Sequence, residues 1–343
     1  MPDQTKTRRG CLRNLLLVAG VLILGVVLAL AWLFRPLPTA DLTASPAPAH
    51  GYDEAMERLE AIHAEEATLP LHNGGRTIVL SHGHPTDRVF VLLHGFTNSP
   101  RQFRELGELL FARGANVVIP RLPYHGLTDR LTNAHGDLTA ANLIRYAESG
   151  IDIARGLGKR ITLVGLSVSG ISAGWLAHQR DDLDEVFLFA PFFGTAAVPD
   201  ALTPAVTAAL VRWPNTFLWW DPRARENILG PPLNYPRFAT RPLGEAMRLG
   251  LDAERQTGPL RVKRFGLVLT ASDKAVNNRR TLRIVSLWEY NSPGTEFFIY
   301  TFPREDRIPH DFIDPLQNGA QTGKVYPRLV SWLMDSSLAD QNP

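Results

Sequence analysis

The chain has 343 residues, 45% hydrophobic and 20% charged, a length and balance that exclude a disordered protein and leave room for a large buried core. Its formal charge of +2 is unevenly divided: Lys6, Arg8, Arg9, Arg13 and Arg35 against Asp3 make the first 35 residues net +4, so the remainder is mildly acidic and offers no basic patch for nucleic acid. A single cysteine, Cys11, excludes an intramolecular disulfide and a cysteine-based zinc site.

Residues 1–14 read as a basic cytoplasmic tail. From Leu15 to Phe34 runs an uninterrupted apolar stretch of 20 residues, the length needed at about 1.5 Å per residue to cross a hydrocarbon core of roughly 30 Å. The cations before it predict a single-pass anchor with the following domain on the extracytoplasmic side. A cleaved signal peptide is the competing reading, because Ala29-Leu30-Ala31 has the small-x-small form of a cleavage site; Trp32-Leu33-Phe34 continues the apolar run past it. Residues 35–66 then read as a linker rich in proline and alanine plus a leading helix. Pro36, Pro38, Pro46 and Pro48 suggest a semi-extended spacer that holds the next domain off the membrane.

From about residue 76, short apolar runs alternate with amphipathic segments. The runs are 89–93, 117–119, 161–164, 186–189, 267–269 and 297–300. Continuous apolarity marks strands covered on both faces, so the rhythm predicts an α/β fold with a doubly wound, mostly parallel sheet over 67–192 and 261–343. Ser99-Pro100-Arg101-Gln102 reads as a helix start with a capping-box glutamine, followed by Phe103, Leu106, Leu109 and Leu110 on one face. A last amphipathic helix carries Tyr326, Leu329, Val330 and Leu333. Residues 193–260 lack a strand-like run, and a helical cap is expected there.

Chemistry concentrates at the ends of the runs. Gly165-Leu166-Ser167-Val168-Ser169-Gly170 lies where a strand turns sharply into a helix, and resembles the G-x-S-x-G nucleophile elbow of the α/β-hydrolase superfamily, with serine in place of the second glycine. His94-Gly95-Phe96 after the run 89–93 is similar to the oxyanion segment of the carboxylesterase, monoacylglycerol lipase and serine aminopeptidase branch. The resemblance covers about residues 76–335. It implies an α/β-hydrolase fold, Ser167 as nucleophile, the backbone N–H groups of Phe96 and Val168 as oxyanion donors, Asp273 (in Ser272-Asp273-Lys274) as acid and His310 (in Pro309-His310-Asp311) as base. Asp306, Asp311 and Asp314 lie too near His310 in sequence to approach it from a separate strand. His94, His82, His84 and His125 are read as structural or loop residues.

Trp213, Phe217, Trp219 and Trp220 in the cap have two readings, packing against the catalytic domain or lining an apolar acyl pocket. No metal-ligand spacing or phosphate loop is present, so neither metal nor cofactor is expected. The expected activity is hydrolysis of uncharged, lipid-like carboxylic esters. An aminopeptidase or amidase is the alternative, with Glu226, Glu245 and Glu254 as candidate amine-holding acids. A third reading is a catalytically silent, membrane-tethered binding protein.

Overall fold

The computed structural model describes residues 4–223, 225 and 233–335, and side chains from residue 14 onward. Cys11 and the basic side chains of the tail therefore lie outside the described residues. The first helix, α1 (Gln4–Phe34), presents its apolar residues to the surroundings: from Asn14 to Phe34 its mean hydropathy is 2.9, with none of this span buried against the rest of the protein. It is a candidate membrane-crossing helix by length and composition.

Seven strands form the main sheet: β1 (Ile78–Leu80), β2 (Thr86–Leu93), β3 (Asn116–Ile119), β4 (Gly158–Leu166), β5 (Glu185–Phe189) and, beyond the cap, β8 (Arg264–Thr270) and β9 (Glu296–Phe302). Their order is β1-β3-β2-β4-β5-β8-β9, all parallel except the β1–β3 edge pair. Each expected run lies within one of these strands; the short β1 had no run long enough to announce it.

Strand alternation divides the core in two. Val89, Val91, Leu93, Leu163, Val186 and Leu267 face helices α2 (Tyr52–Ala67), α4 (Ala140–Leu157), α5 (Val168–Gln179) and α8 (Asn278–Asn291). Phe90, Leu92, Val164, Leu166, Phe187 and Val268 face α3 (Arg104–Phe111) and the last helix, α9 (Thr322–Met334). Both sides of the sheet are thus dry, which is why its strands read as continuous apolar runs.

The capping box expected at Ser99–Gln102 does not form. A 3-10 turn (Pro100–Phe103) precedes α3, Ser99 makes no side-chain cap, and Gln102 reaches elsewhere. The cap also differs from a purely helical insertion. Besides α6 (Thr203–Arg212) and α7 (Thr240–Arg255) it contains an antiparallel pair, β6 (Phe217–Trp219) with β7 (Arg237–Ala239). Strands of three residues are too short to show a period. Helix α7 packs on α5, with Trp175 Nε1 donating to Asp252 at 2.8 Å.

The proline-rich segment is not a free spacer. Leu42 and Ala49 are buried, Ser45 N donates to Glu148 at 2.7 Å, and Ala47 N donates to Asp152 at 3.1 Å. Proline lacks a donor but keeps its carbonyl, so an extended segment can still be bound along a surface.

Candidate active site

Strand β4 ends in a turn that only small neighbours allow. Ser167 sits at φ 57°, ψ −118°, a region costly for a residue with a Cβ, by about 1–3 kcal/mol. A side chain at Gly165 would meet the Ser169 carbonyl oxygen at 2.5 Å, because strand and helix cross there. The reversal is fixed on both sides: Ser167 N donates to Phe189 O at 2.9 Å, and Ser167 O accepts from Phe192 N and Gly170 N, each at 3.0 Å. The hydroxyl is thereby set above the carboxyl end of the sheet, half-buried.

His310 and Asp273 converge on it. His310 Nε2 lies 3.1 Å from Ser167 Oγ, and its Nδ1 lies 2.6 Å from Asp273 Oδ2. Asp273 is held in turn, its Oδ1 accepting from Ala275 N at 2.7 Å and Val276 N at 3.2 Å, and its side chain is fully shielded from solvent. Thr270 Oγ1 donates to Ile308 O at 2.8 Å, joining the end of β8 to the histidine loop. Burial alone would make His310 harder to protonate, but the hydrogen bond and charge of Asp273 prevail and raise it above the usual histidine value. The nearer carboxylates serve elsewhere: Asp314 pairs with Arg101 at 2.8 Å and Asp306 with Lys324.

The loop after β2 lies against the start of α5. Ser169 Oγ donates to His94 O at 2.5 Å, while His94 N donates to the buried Tyr146 hydroxyl at 3.1 Å. His94 is structural: its Nε2 accepts from Leu122 N at 3.1 Å and its Nδ1 donates to Gly95 O at 3.0 Å, which leaves the ring neutral; burial lowers its pKa to about 3. Gly95 N is taken by Gln102 Oε1 at 2.8 Å and Asn98 N by Gly95 O at 3.3 Å. Among the described residues the Phe96 N–H has no such acceptor, and Val168 N is the first amide of a helix, an orphan by construction.

A bridge between this loop and the histidine loop has no counterpart in the sequence reading. Gln102 Nε2 donates to Asp311 Oδ2 at 2.7 Å, and Asn98 Nδ2 donates to Asp311 and Asp314 at 3.3 and 3.2 Å. Burial and the charge of Asp314 push Asp311 up to about 6. The partners are more than 200 residues apart, so no local pattern could announce them.

The family model for the alpha/beta hydrolase family matches residues 90–330, well over half of the chain. The chain belongs to that family. No curated protein matches the sequence. Among solved structures, the hydrolase is similar to one of the two metagenome-derived lipolytic enzymes LipS and LipT, at 20% identity and a TM-score of 0.56, covering 77% of this chain and 98% of that one. It is likewise similar to a monoacylglycerol lipase of Paleococcus ferrophilus (18%, TM-score 0.56, 75% and 97% covered) and to a monoglyceride lipase of Saccharomyces cerevisiae (13%, TM-score 0.52, 75% and 90% covered). At these identities the likeness is one of fold.

In the hydrolase the cap aromatics have separate positions. Trp220 Nε1 donates to Thr97 Oγ1 at 2.9 Å, tying the cap to the loop after β2. Phe217 packs edge-on against His135, ring centres 5.4 Å apart, beneath Arg237. Trp219 is half-buried on β6, and Trp213 is exposed at the end of α6. Among the histidines, His125 lies in its loop and, like His94 and His135, is fully buried, a neutral imidazole packing as an aromatic ring; His82 stacks on Phe111 and His84 caps its own loop. Of the candidate amine-holding acids, Glu245 accepts from Arg248 and Ala140 N, and Glu254 pairs with Arg280 and Arg283. Glu226 lies outside the described residues.

Proposed function

We propose that this chain is a membrane-anchored serine hydrolase that cleaves uncharged, lipid-like carboxylic esters through an acyl-enzyme at Ser167. The hydrogen-bonded series Ser167–His310–Asp273 carries the reading. Ser167 Oγ attacks the acyl carbon as its proton passes to His310 Nε2; the carbonyl π electrons move to oxygen, facing the N–H groups of Phe96 and Val168. One such donor typically lowers the barrier by about 3–4 kcal/mol. Collapse breaks the ester C–O bond, and the alcohol leaves with the proton from His310. Water then repeats the sequence on the acyl-serine, releasing the acid and restoring Ser167. Asp273 holds the Nδ1–H tautomer throughout and balances the imidazolium charge.

The cap supports an apolar substrate: Leu202, Trp213, Leu218 and Trp220 are exposed on it, and two structures of the same fold are named as monoacylglycerol or monoglyceride lipases. Glu245 and Glu254 are already engaged by arginines, which disfavours those two as holders of a substrate amine. The cations before the apolar span, Lys6 to Arg13, support a cytoplasmic N-terminus and an exported domain.

The test is full-length protein in detergent micelles, assayed on p-nitrophenyl esters of increasing acyl length and on aminoacyl-naphthylamides. Ester turnover, fluorophosphonate labelling mapped to Ser167 and loss of both in Ser167→Ala are expected. Absence of labelling together with absence of ester turnover sinks the proposal.

A further inference from the structure

The candidate anchor does not leave the domain on a free hinge. Arg212, the last residue of α6, donates to Leu33 O at 3.0 Å, Arg35 O at 2.6 Å and Pro36 O at 3.3 Å, and its guanidinium lies 5.4 Å from the centre of the Trp32 ring. Carbonyls at a helix C-terminus have no internal partner and carry the negative end of the helix dipole, so a guanidinium suits them on both counts. Arg248 on α7 binds the next stretch, donating to Pro38 O at 2.6 Å and to the two Asp41 oxygens at 2.8 and 2.7 Å. Two cap helices thus grip the chain where the apolar span ends.

A cavity of about 110 Å³ opens at this junction. A single water needs about 10–15 Å³ by the same measure, so there is room for a group the size of a phosphate. Its walls are of two kinds. Phe34, Leu37 and Leu251 are apolar; Arg35 and Arg255 are cationic. Arg248 borders it too, but its charge is matched by Asp41 and Glu245. Arg35 and Arg255 are exposed, and among the described residues neither has an ion-pair partner. Arg35 directly follows the last apolar residue of α1, which sets it at headgroup depth when the helix spans a bilayer.

We infer that this cavity binds the anionic headgroup of a phospholipid, its phosphate between the Arg35 and Arg255 guanidiniums and the start of its acyl chains along Phe34 and Leu37. Guanidinium forks match phosphate oxygens geometrically, and the adjoining apolar wall continues into the exposed face of α1. The bound lipid would complete the contact between α1 and the cap, holding the cap against the membrane surface. The inference rests on α1 being a retained, membrane-spanning helix.

Full-length protein is placed in nanodiscs of phosphatidylcholine mixed with phosphatidylglycerol, and native mass spectrometry reads the lipids it retains. A retained phosphatidylglycerol-to-phosphatidylcholine ratio about thirtyfold above the bulk ratio is expected, on the scale of two cations at an anionic surface. In Arg35→Gln/Arg255→Gln, with an unchanged melting temperature, the retained lipids return to the bulk ratio. Equal retention in the wild type, or enrichment that survives the double substitution, overturns the lipid site. Complete displacement by inorganic phosphate overturns it in favour of a free-anion site. Alkaline carbonate extraction and intact mass separate the underlying reading: a chain that has lost α1 or leaves the membrane overturns the anchor and the site together, whereas a retained, resistant chain without lipid preference overturns the site alone.

Discussion

Ser169 donates its hydroxyl to the carbonyl of His94 at 2.5 Å, joining the first turn of α5 to the loop that carries Phe96. Tyr146 holds the same residue from its amide side. The residue that departs from G-x-S-x-G is therefore a fastening between the two proposed oxyanion donors. In Ser169→Gly the elbow still closes, but a buried carbonyl loses its partner, at about 1–3 kcal/mol. We expect kcat for ester cleavage to fall roughly tenfold, the equivalent of about 1.4 kcal/mol, with KM little changed. A variant with wild-type kcat would show that Ser169 is only a space-filler.

His310 is raised above the usual histidine value although burial works against it, because Asp273 prevails. As the proposed base, His310 must be neutral to accept the serine proton, so kcat/KM should rise with pH through an apparent pKa above about 6.5 and fall on the acid side. Asp273→Asn removes the charge that raises it. The acid limb should move to lower pH, and kcat should drop by about 10⁴ as the tautomer is lost. An unmoved limb would detach Asp273 from this role.

Four buried histidines bear on stability rather than catalysis. Burial, above all, lowers His94 to about 3, His135 and His178 to about 4, and His125 well below the usual value. The unfolded chain binds protons that the fold refuses, so this stability is complete above about pH 6.5 and is lost as pH falls toward 4. Asp311, raised to about 6, and Glu148, also raised by burial, act in the opposite sense but are outnumbered by the four histidines. Thermal melting between pH 7 and pH 4.5 should show a steep acid decline, roughly 1.4 kcal/mol per pH unit for each histidine. Both ring nitrogens of His135 are buried without a partner, so His135→Phe should remove about one proton from this dependence. An identical decline in that variant contradicts the assignment.

Six of the seven strands of the main sheet were legible because each holds an apolar run, and the meeting of Ser167, Asp273 and His310 because each follows one. What escaped is long-range or donated by the backbone. Gln102 sits where a capping glutamine belongs, yet it bonds Gly95 and Asp311, a choice made only once β2 and the histidine loop meet. The docking of residues 36–49 depends on carbonyl and amide groups that every residue has, so prolines suggested a spacer where arginines and acids hold a bound strap.

Arg180 tests that strap. Fully buried, it pairs with Asp152 at 2.7 Å, Asp182 at 2.6 Å and Glu148 at 3.6 Å, and the same Glu148 and Asp152 receive the amides of Ser45 and Ala47. Arg180→Met leaves buried carboxylates uncompensated and should destabilise the domain by about 3–5 kcal/mol in urea unfolding. Limited proteolysis should then cut within 42–49 at rates the wild type does not show. Resistance equal to wild type would mean that the strap is held by other contacts.

The strap also bears on where the chain can be shortened. Asp41 is bound by Arg248, Ser45 by Glu148 and Ala47 by Asp152, so a soluble form beginning at residue 50 would strip a seam from the folded body and uncover charged groups beneath it. A form beginning at residue 36 keeps the seam whole while shedding the apolar helix. Processing after Ala31 would likewise leave this strap in place, so the released and the tethered protein would carry the same folded enzyme and differ only in what lies beneath the cap.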